Sequence, residues 1–116
     1  GKGKIVDFFA KEYDLVARFQ GGPNAGHTLY VNDKKVVLHQ IPSGVFHEGI
    51  INLIGNGVVL DPVILKRECD TVASFGIDLR KNLFIAERTH HILPTHSALY
   101  KAAELSKGKQ KIGSTL

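Results

Sequence analysis

Apolar positions along the chain change period several times, and each change marks an element. Ile5, Phe9 and Tyr13 recur at four-residue spacing with Val6 and Ala10 beside them, which predicts a helix over 4–13. From Leu15 to Phe19 the period falls to two: Leu15, Ala17 and Phe19 share one face, Val16 and Arg18 the other, as in a short strand. Gln20 to Thr28 holds three glycines, a proline and an asparagine, and reads as a loop. Thr28–Val31 and Lys35–His39 are β-branched-rich runs around Asn32-Asp33, the pattern of a tight hairpin. Pro42-Ser43-Gly44 is a further turn. Ile50–Ile54 and Val58–Leu60 are continuous apolar runs of the kind found in buried strands, and Gly55-Asn56-Gly57 reads as a tight connection between them.

The second half carries clearer punctuation. Asp61-Pro62 places a capping carboxylate before a proline at the first helical position, opening a helix. Leu65, Cys69 and Val72 form its apolar face, and Gly76 is its stop. Leu83–Ala86 is another strand, and Pro94 and Thr95 open a last helix with Ala98, Ala102 and Leu105 along one side. The polar, lysine-rich stretch from Ser106 to Thr115 reads as loop. Strands and helices alternate, so the fold class is α/β. Internal repeats, low-complexity segments and an internal domain boundary are all absent from the sequence.

Composition narrows the setting. A length of 116 residues suits one domain. With 43% hydrophobic and 22% charged residues, the balance is globular rather than disordered. Apolar runs are too short for a membrane-spanning helix, which needs about 18 residues or more, and the N-terminus carries no signal-peptide pattern. The one cysteine, Cys69, cannot form an internal disulfide, which fits a reducing, cytoplasmic setting. The chain has no methionine and starts Gly1-Lys2-Gly3-Lys4 directly before a helix, so it is expected to be part of something longer. Fifteen Lys and Arg against 11 Asp and Glu give a charge of +4, which suits anionic partners from nucleotides to nucleic acid. A solvated basic surface explains that charge as well. No interleaving of aromatic and basic residues of an RNA-binding type is present, so nucleic acid is not expected.

Two segments have the makings of a phosphate site. Gly1-Lys2-Gly3-Lys4-Ile5 combines glycines, which admit close backbone approach, with lysine charge and a helix start whose N–H groups are unpaired. It is not a full Walker motif, and the same residues describe a frayed terminus. Gly21-Gly22-Pro23-Asn24-Ala25-Gly26-His27-Thr28 surrounds a histidine with small residues, an amide and a hydroxyl. A histidine after a glycine turn is also an ordinary surface residue, and the residue types alone leave both readings open. His90, His91 and His96 lack the spacing of a zinc set, and Cys69, on an apolar helix face, reads as a core residue.

Taken together and in order, Gly1-Lys2-Gly3-Lys4-Ile5-Val6-Asp7, Gln20 to Thr28 and Ile54-Gly55-Asn56-Gly57-Val58-Val59 resemble the N-terminal part of the adenylosuccinate synthetase family. Leu38-His39 with Ile41-Pro42-Ser43-Gly44, and Lys111-Ile112-Gly113-Ser114-Thr115, extend the resemblance over essentially the whole chain. It implies a nucleotide-binding core with a central, mainly parallel sheet flanked by helices, plus a β-hairpin. It also implies that residues 1–116 are an N-terminal fragment of one larger GTP- and IMP-binding ligase domain, truncated at both ends. The implied reaction joins IMP and L-aspartate at the expense of GTP, with Mg²⁺, through 6-phosphoryl-IMP, in a cytoplasmic homodimer.

By the same resemblance, Gly1, Lys2, Gly3 and Lys4 end the phosphate loop that meets GTP, with Gly1 and Lys2 also near IMP. Asn24, Ala25, Gly26 and His27 face IMP, while Gly26, His27 and Thr28 meet the GTP phosphates. His27 is the implied catalytic histidine, the Gly26 carbonyl the implied Mg²⁺ ligand, and Thr115 the implied contact to the IMP phosphate. The family's tryptophan-glycine-aspartate-glutamate, whose aspartate is general base and Mg²⁺ ligand, would precede Gly1. The glycine-arginine segment expected after Thr115 is replaced by Leu116. The chain alone is therefore expected to be inactive. The alternative it leaves open is a non-catalytic nucleotide- or anion-binding module of the same descent.

Overall fold

The computed structural model describes residues 2–107. Helix α1 (Lys2–Ala10) leads into strand β1 (Leu15–Gly21), followed by β2 (His27–Val31) and β3 (Lys34–Leu38). A 3₁₀ turn at Ser43–Phe46 precedes the long strand β4 (Ile51–Leu60) and helix α2 (Pro62–Ala73). A second 3₁₀ turn at Leu79–Lys81, strands β5 (Leu83–Ile85) and β6 (His90–His91), and helix α3 (Pro94–Lys107) complete the order. Strand β4 is the centre of a parallel sheet, with β1 on one side and β5 on the other, while β6 pairs with its last residues. The fold is the expected α/β arrangement with a separate antiparallel hairpin, β2–β3.

The hairpin forms because Asn32 and Asp33 both accept left-handed backbone, with φ of 48° and 62°. A two-residue turn of this hand matches the twist of the flanking strands, and Asn and Asp tolerate it better than other side chains. Its inner residues Leu29, Val36 and Leu38 pack with Ile41, Val45 and Val72, and the half-buried Leu65 and Cys69 join them. Ile54, Val58 and Leu60 of β4 form a second cluster that Leu65 and Leu83 close. Helix α2 thus seals both, and Cys69 packs at the core as expected. It starts where Asp61 accepts from the backbone N–H groups of Val63 at 2.9 Å and Ile64 at 3.2 Å.

Several expectations need correction. Gly55-Asn56-Gly57 does not connect two strands: β4 runs unbroken through it. Arg18 pairs with Ile54 and Gln20 with Gly57, so two residues of β4, Gly55 and Asn56, face Phe19 alone across a bulge. A Cβ on Gly57 would lie 2.4 Å from the Phe19 carbonyl oxygen, so glycine serves close strand approach there. The runs flanking it are not wholly buried either, since Ile51 and Val59 are exposed.

The expected loop from Gln20 to Thr28 shrinks to residues 22–26, because Gln20 and Gly21 extend β1 and His27 and Thr28 begin β2. The first helix covers 2–10 rather than 4–13, and its apolar stripe faces outward. Ile5, Phe8 and Phe9 are exposed, and Ala10 is its one buried hydrophobic residue. It instead rests on the hairpin through Lys4, whose Nζ sits 5.5 Å from the Tyr30 ring centre. A second contact is Asp7, whose Oδ1 is 2.8 Å from His47 Nε2. Amphipathic spacing predicts a helix correctly, but which face is buried depends on the partner surface. The last helix extends through Ser106 and Lys107, which were expected to be loop.

Candidate functional site

The segment 22–26 leaves the C-terminal end of β1 and returns as β2, which begins at His27. Ligands of parallel α/β sheets gather at that end of the strands. Asn24, Ala25 and Gly26 are exposed, and His27 and Thr28 are half-buried. Of these, His27 lines a cavity of about 350 Å³ together with Arg18, Gln20, Ser43 and Val6 of α1, while Asn24 lines a separate one with Gly22 and Pro23. Two buried polar atoms on residues of the first cavity's wall, His27 Nε2 and Ser43 Oγ, have no hydrogen-bond partner among the described residues.

Three residues that the sequence reading did not single out hold this loop. The Arg18 guanidinium donates to the carbonyl of His39 and, at 2.7 Å, to that of Gly22. The His39 ring places Nδ1 2.9 Å from the Pro23 carbonyl oxygen. A Cβ on Gly26 would come within 2.9 Å of that same ring, so glycine at 26 lets the loop lie against it without displacing the ring. Glu68, reaching up from α2, accepts from the backbone N–H groups of His39, Gln40 and Ile41. One signal for it was legible. Glu68 falls three residues after Leu65 and four before Val72, on the apolar stripe, where an unpaired carboxylate would be costly.

Burial pushes the His27 imidazole below its ordinary pKa, and the Arg18 cation adds to that, with the Glu68 carboxylate acting against it. The lowered pKa favours the neutral ring near pH 7, and Nε2 is buried without a hydrogen-bond partner among the described residues. Burial likewise lowers Arg18, partly offset by Glu68.

The remaining implied residues are spread differently. Lys2, Gly3 and Lys4 lie in the first turn of α1. Lys4 is stacked on Tyr30 of the hairpin, which brings the start of α1 beside β2. Gly1 and Thr115 fall outside the described residues. Among the described residues no three His, Cys, Asp or Glu side chains gather as a metal cage. The Gly26 carbonyl remains a hard oxygen donor on an exposed loop. It suits Mg²⁺, which takes few protein ligands and completes its shell with phosphate and water oxygens.

Along residues 1–116 the sequence matches the adenylosuccinate synthetase family. The chain belongs to that family. It is 62% identical over 116 residues to the adenylosuccinate synthetase of Christiangramia forsetii and 60% identical to that of Flavobacterium psychrophilum. In each case all of this chain is covered, and 27% of the relative. The structure of fully ligated adenylosuccinate synthetase from Plasmodium falciparum superimposes with a TM-score of 0.83 at 38% identity, covering 95% of this chain and 25% of that one. The succinoaminodeoxyadenylate synthetase of cyanophage S-2L shares the fold at a TM-score of 0.67 and 22% identity. The chain thus spans about a quarter of the length of the synthetases it matches. Among the described residues, no helix is long and apolar enough to cross a membrane.

Proposed function

We propose that the protein to which this chain belongs joins IMP and L-aspartate into adenylosuccinate, converting GTP to GDP and phosphate. His27 is the observation that carries the reading. A half-buried imidazole, its pKa lowered by burial and its Nε2 without a partner among the described residues, opens β2 beside a glycine-lined loop, in a chain that matches the synthetase family from end to end.

The purine carbonyl oxygen O6 is a poor leaving group until it is phosphorylated. In the first step the bond from the γ-phosphorus of GTP to its bridging oxygen breaks and a bond to O6 forms, while the proton on N1 of IMP goes to a general base. In the second, the aspartate amine attacks C6, and phosphate leaves with the former O6. Phosphoryl transfer depends mostly on positioning and on neutralising charge. The phosphate anions would favour protonation of the His27 ring, which then supplies a donor to the transferring phosphoryl oxygens, as general acid or charge stabiliser. Lys2, Gly3 and Lys4, with Gly1 before them, bring the positive end of α1 and lysine charge to the GTP phosphates, and Gly1 and Lys2 also approach IMP. Gly26 and Thr28 join His27 at the GTP phosphates, Asn24 and Ala25 meet IMP with Gly26 and His27, and Thr115 takes the IMP phosphate. Mg²⁺ would be held in part by the Gly26 carbonyl and would supply neutralisation of phosphate charge. The general base, an aspartate in this reading, lies outside the chain, so residues 1–116 alone are inactive. The same reading makes the protein a cytoplasmic homodimer with no role for nucleic acid.

The test is adenylosuccinate formation by the full-length protein from IMP, GTP and L-aspartate with Mg²⁺. His27→Asn is expected to lower kcat by about 10²- to 10³-fold, as loss of a positioned acid does, with the KM for IMP changing less than about threefold. Equal losses in binding and turnover would reduce His27 to a binding residue. No product from the full-length protein would favour the non-catalytic nucleotide-binding module. Product from the 116-residue chain alone would refute the need for the outlying base.

A further inference from the structure

We propose that Glu68 is a positioning residue for the loop that carries Gly26 and His27, although it sits on α2 and bonds to neither. This rests on the reading of His27 as the group that acts on the phosphoryl transfer. Glu68 is 5% exposed, and its carboxylate receives three consecutive backbone donors. Oε1 takes the N–H of His39, while Oε2 takes those of Gln40 at 3.0 Å and Ile41 at 2.9 Å. These donors follow β3, whose ladder ends at Leu38, so no strand partner is available to them. Gln40 and Ile41 are fully buried, and without the carboxylate their N–H groups would be orphaned away from water.

The segment that Glu68 fixes is the one that holds the loop. The His39 carbonyl anchors Arg18, which in turn binds the Gly22 carbonyl where the loop leaves β1. The His39 ring bonds the Pro23 carbonyl and packs against Gly26, the residue before His27. Both ends of segment 22–26 are thus tied to one residue, and Glu68 sets the backbone of that residue. A single acidic side chain on a helix controls where the loop can lie.

A carboxylate is required for this. Two oxygens can accept all three bonds, whereas the amide of glutamine offers one acceptor oxygen and turns an NH₂ group toward the remaining N–H donors. Glu68→Gln keeps the volume of the side chain and removes half of the anchor.

The experiment uses the full-length protein in two backgrounds. Glu68→Gln is expected to lower kcat by about tenfold or more, since small misplacements of a reacting group are costly, and to raise the KM for IMP, because Asn24 and Ala25 lie on the same loop. In a His27→Asn background the same substitution is expected to change kcat by less than about twofold, because an effect transmitted through His27 vanishes with it. Amide hydrogen exchange of residues 22–28 is expected to speed up by about tenfold in Glu68→Gln, with α3 unchanged. Equal falls in kcat in both backgrounds would show a general structural role and overturn the proposal, as would unchanged exchange in the loop. If Glu68→Gln does not fold, Arg18→Lys cuts the link from His39 to Gly22 at half-buried bonds, and the same comparisons decide. Should the unaltered full-length protein make no adenylosuccinate, the ligase reading fails, while the exchange comparison still judges the positioning claim.

Discussion

Gly57→Ala tests the bulge that lets β4 run through Gly55-Asn56-Gly57. A Cβ at Gly57 would sit 2.4 Å from the Phe19 carbonyl oxygen, and real Cβ atoms essentially never come closer than 3.0 Å. The clash is with backbone, so β1 or β4 must move by more than half an ångström. Forcing such a shift costs about 1–3 kcal/mol. Alanine also restricts the unfolded chain, which returns about 0.4–1 kcal/mol at a residue whose φ is not positive, and Gly57 is not among the positive-φ glycines. The net expectation is a loss of about 1–2 kcal/mol on those two figures. At Gly55 the nearest atoms are 3.3 and 3.4 Å away, so a few tenths of an ångström suffice and the two effects nearly cancel. Urea unfolding of the 116-residue chain, followed by far-ultraviolet circular dichroism, separates the cases. With a slope of about 1–3 kcal/mol per molar urea, Gly57→Ala lowers the midpoint by roughly 1 M while Gly55→Ala leaves it nearly unchanged. A Gly57→Ala midpoint equal to that of the original chain, or a larger loss for Gly55→Ala, would refute the close-approach reading.

Asp61→Ala removes the two cap bonds to Val63 and Ile64 at the start of α2 and is expected to cost about 1 kcal/mol. Gln40 keeps its bonds to the Asp61 backbone, so the loss is confined to the cap, and the same urea titration reads it. Burial first, then Arg18, hold the His27 pKa below its unfolded value, so the neutral ring favours folding above about pH 6.5. That contribution is lost as the pH falls through the folded value, because the unfolded chain then binds the extra proton. Between about pH 7 and 5 the urea midpoint is expected to fall more steeply in the original chain than in His27→Asn; parallel slopes would mean that His27 is not held neutral by the fold.

Where a residue's role is decided by its own neighbours in sequence, the chain could be read directly. Asp61-Pro62 announces α2, and Asn32-Asp33 between two β-branched runs announces the hairpin, because capping and left-handed turns are local requirements. Gly55-Asn56-Gly57 misleads for the same reason: its local chemistry suits a turn, and only the Phe19 carbonyl of a neighbouring strand shows that it suits a bulge. The stripe of Ile5 and Phe9 likewise marks a helix without telling which surface meets it.

The candidate site divides along that line. Gly26 and His27 stand out in a loop rich in small residues, and the family likeness gives them roles. Arg18, His39 and Glu68 come from a strand, a strand end and a helix, and their connection exists only after β1, β3 and α2 have packed. Glu68 is the informative case. An acidic residue between Leu65 and Val72 on a buried stripe is a local conflict in the pattern, and folding resolves such conflicts only with partners that the carboxylate can accept from. Three consecutive N–H groups are what it finds. The polar exception in an apolar pattern therefore marks the point from which the loop is held, even though the sequence does not say which loop.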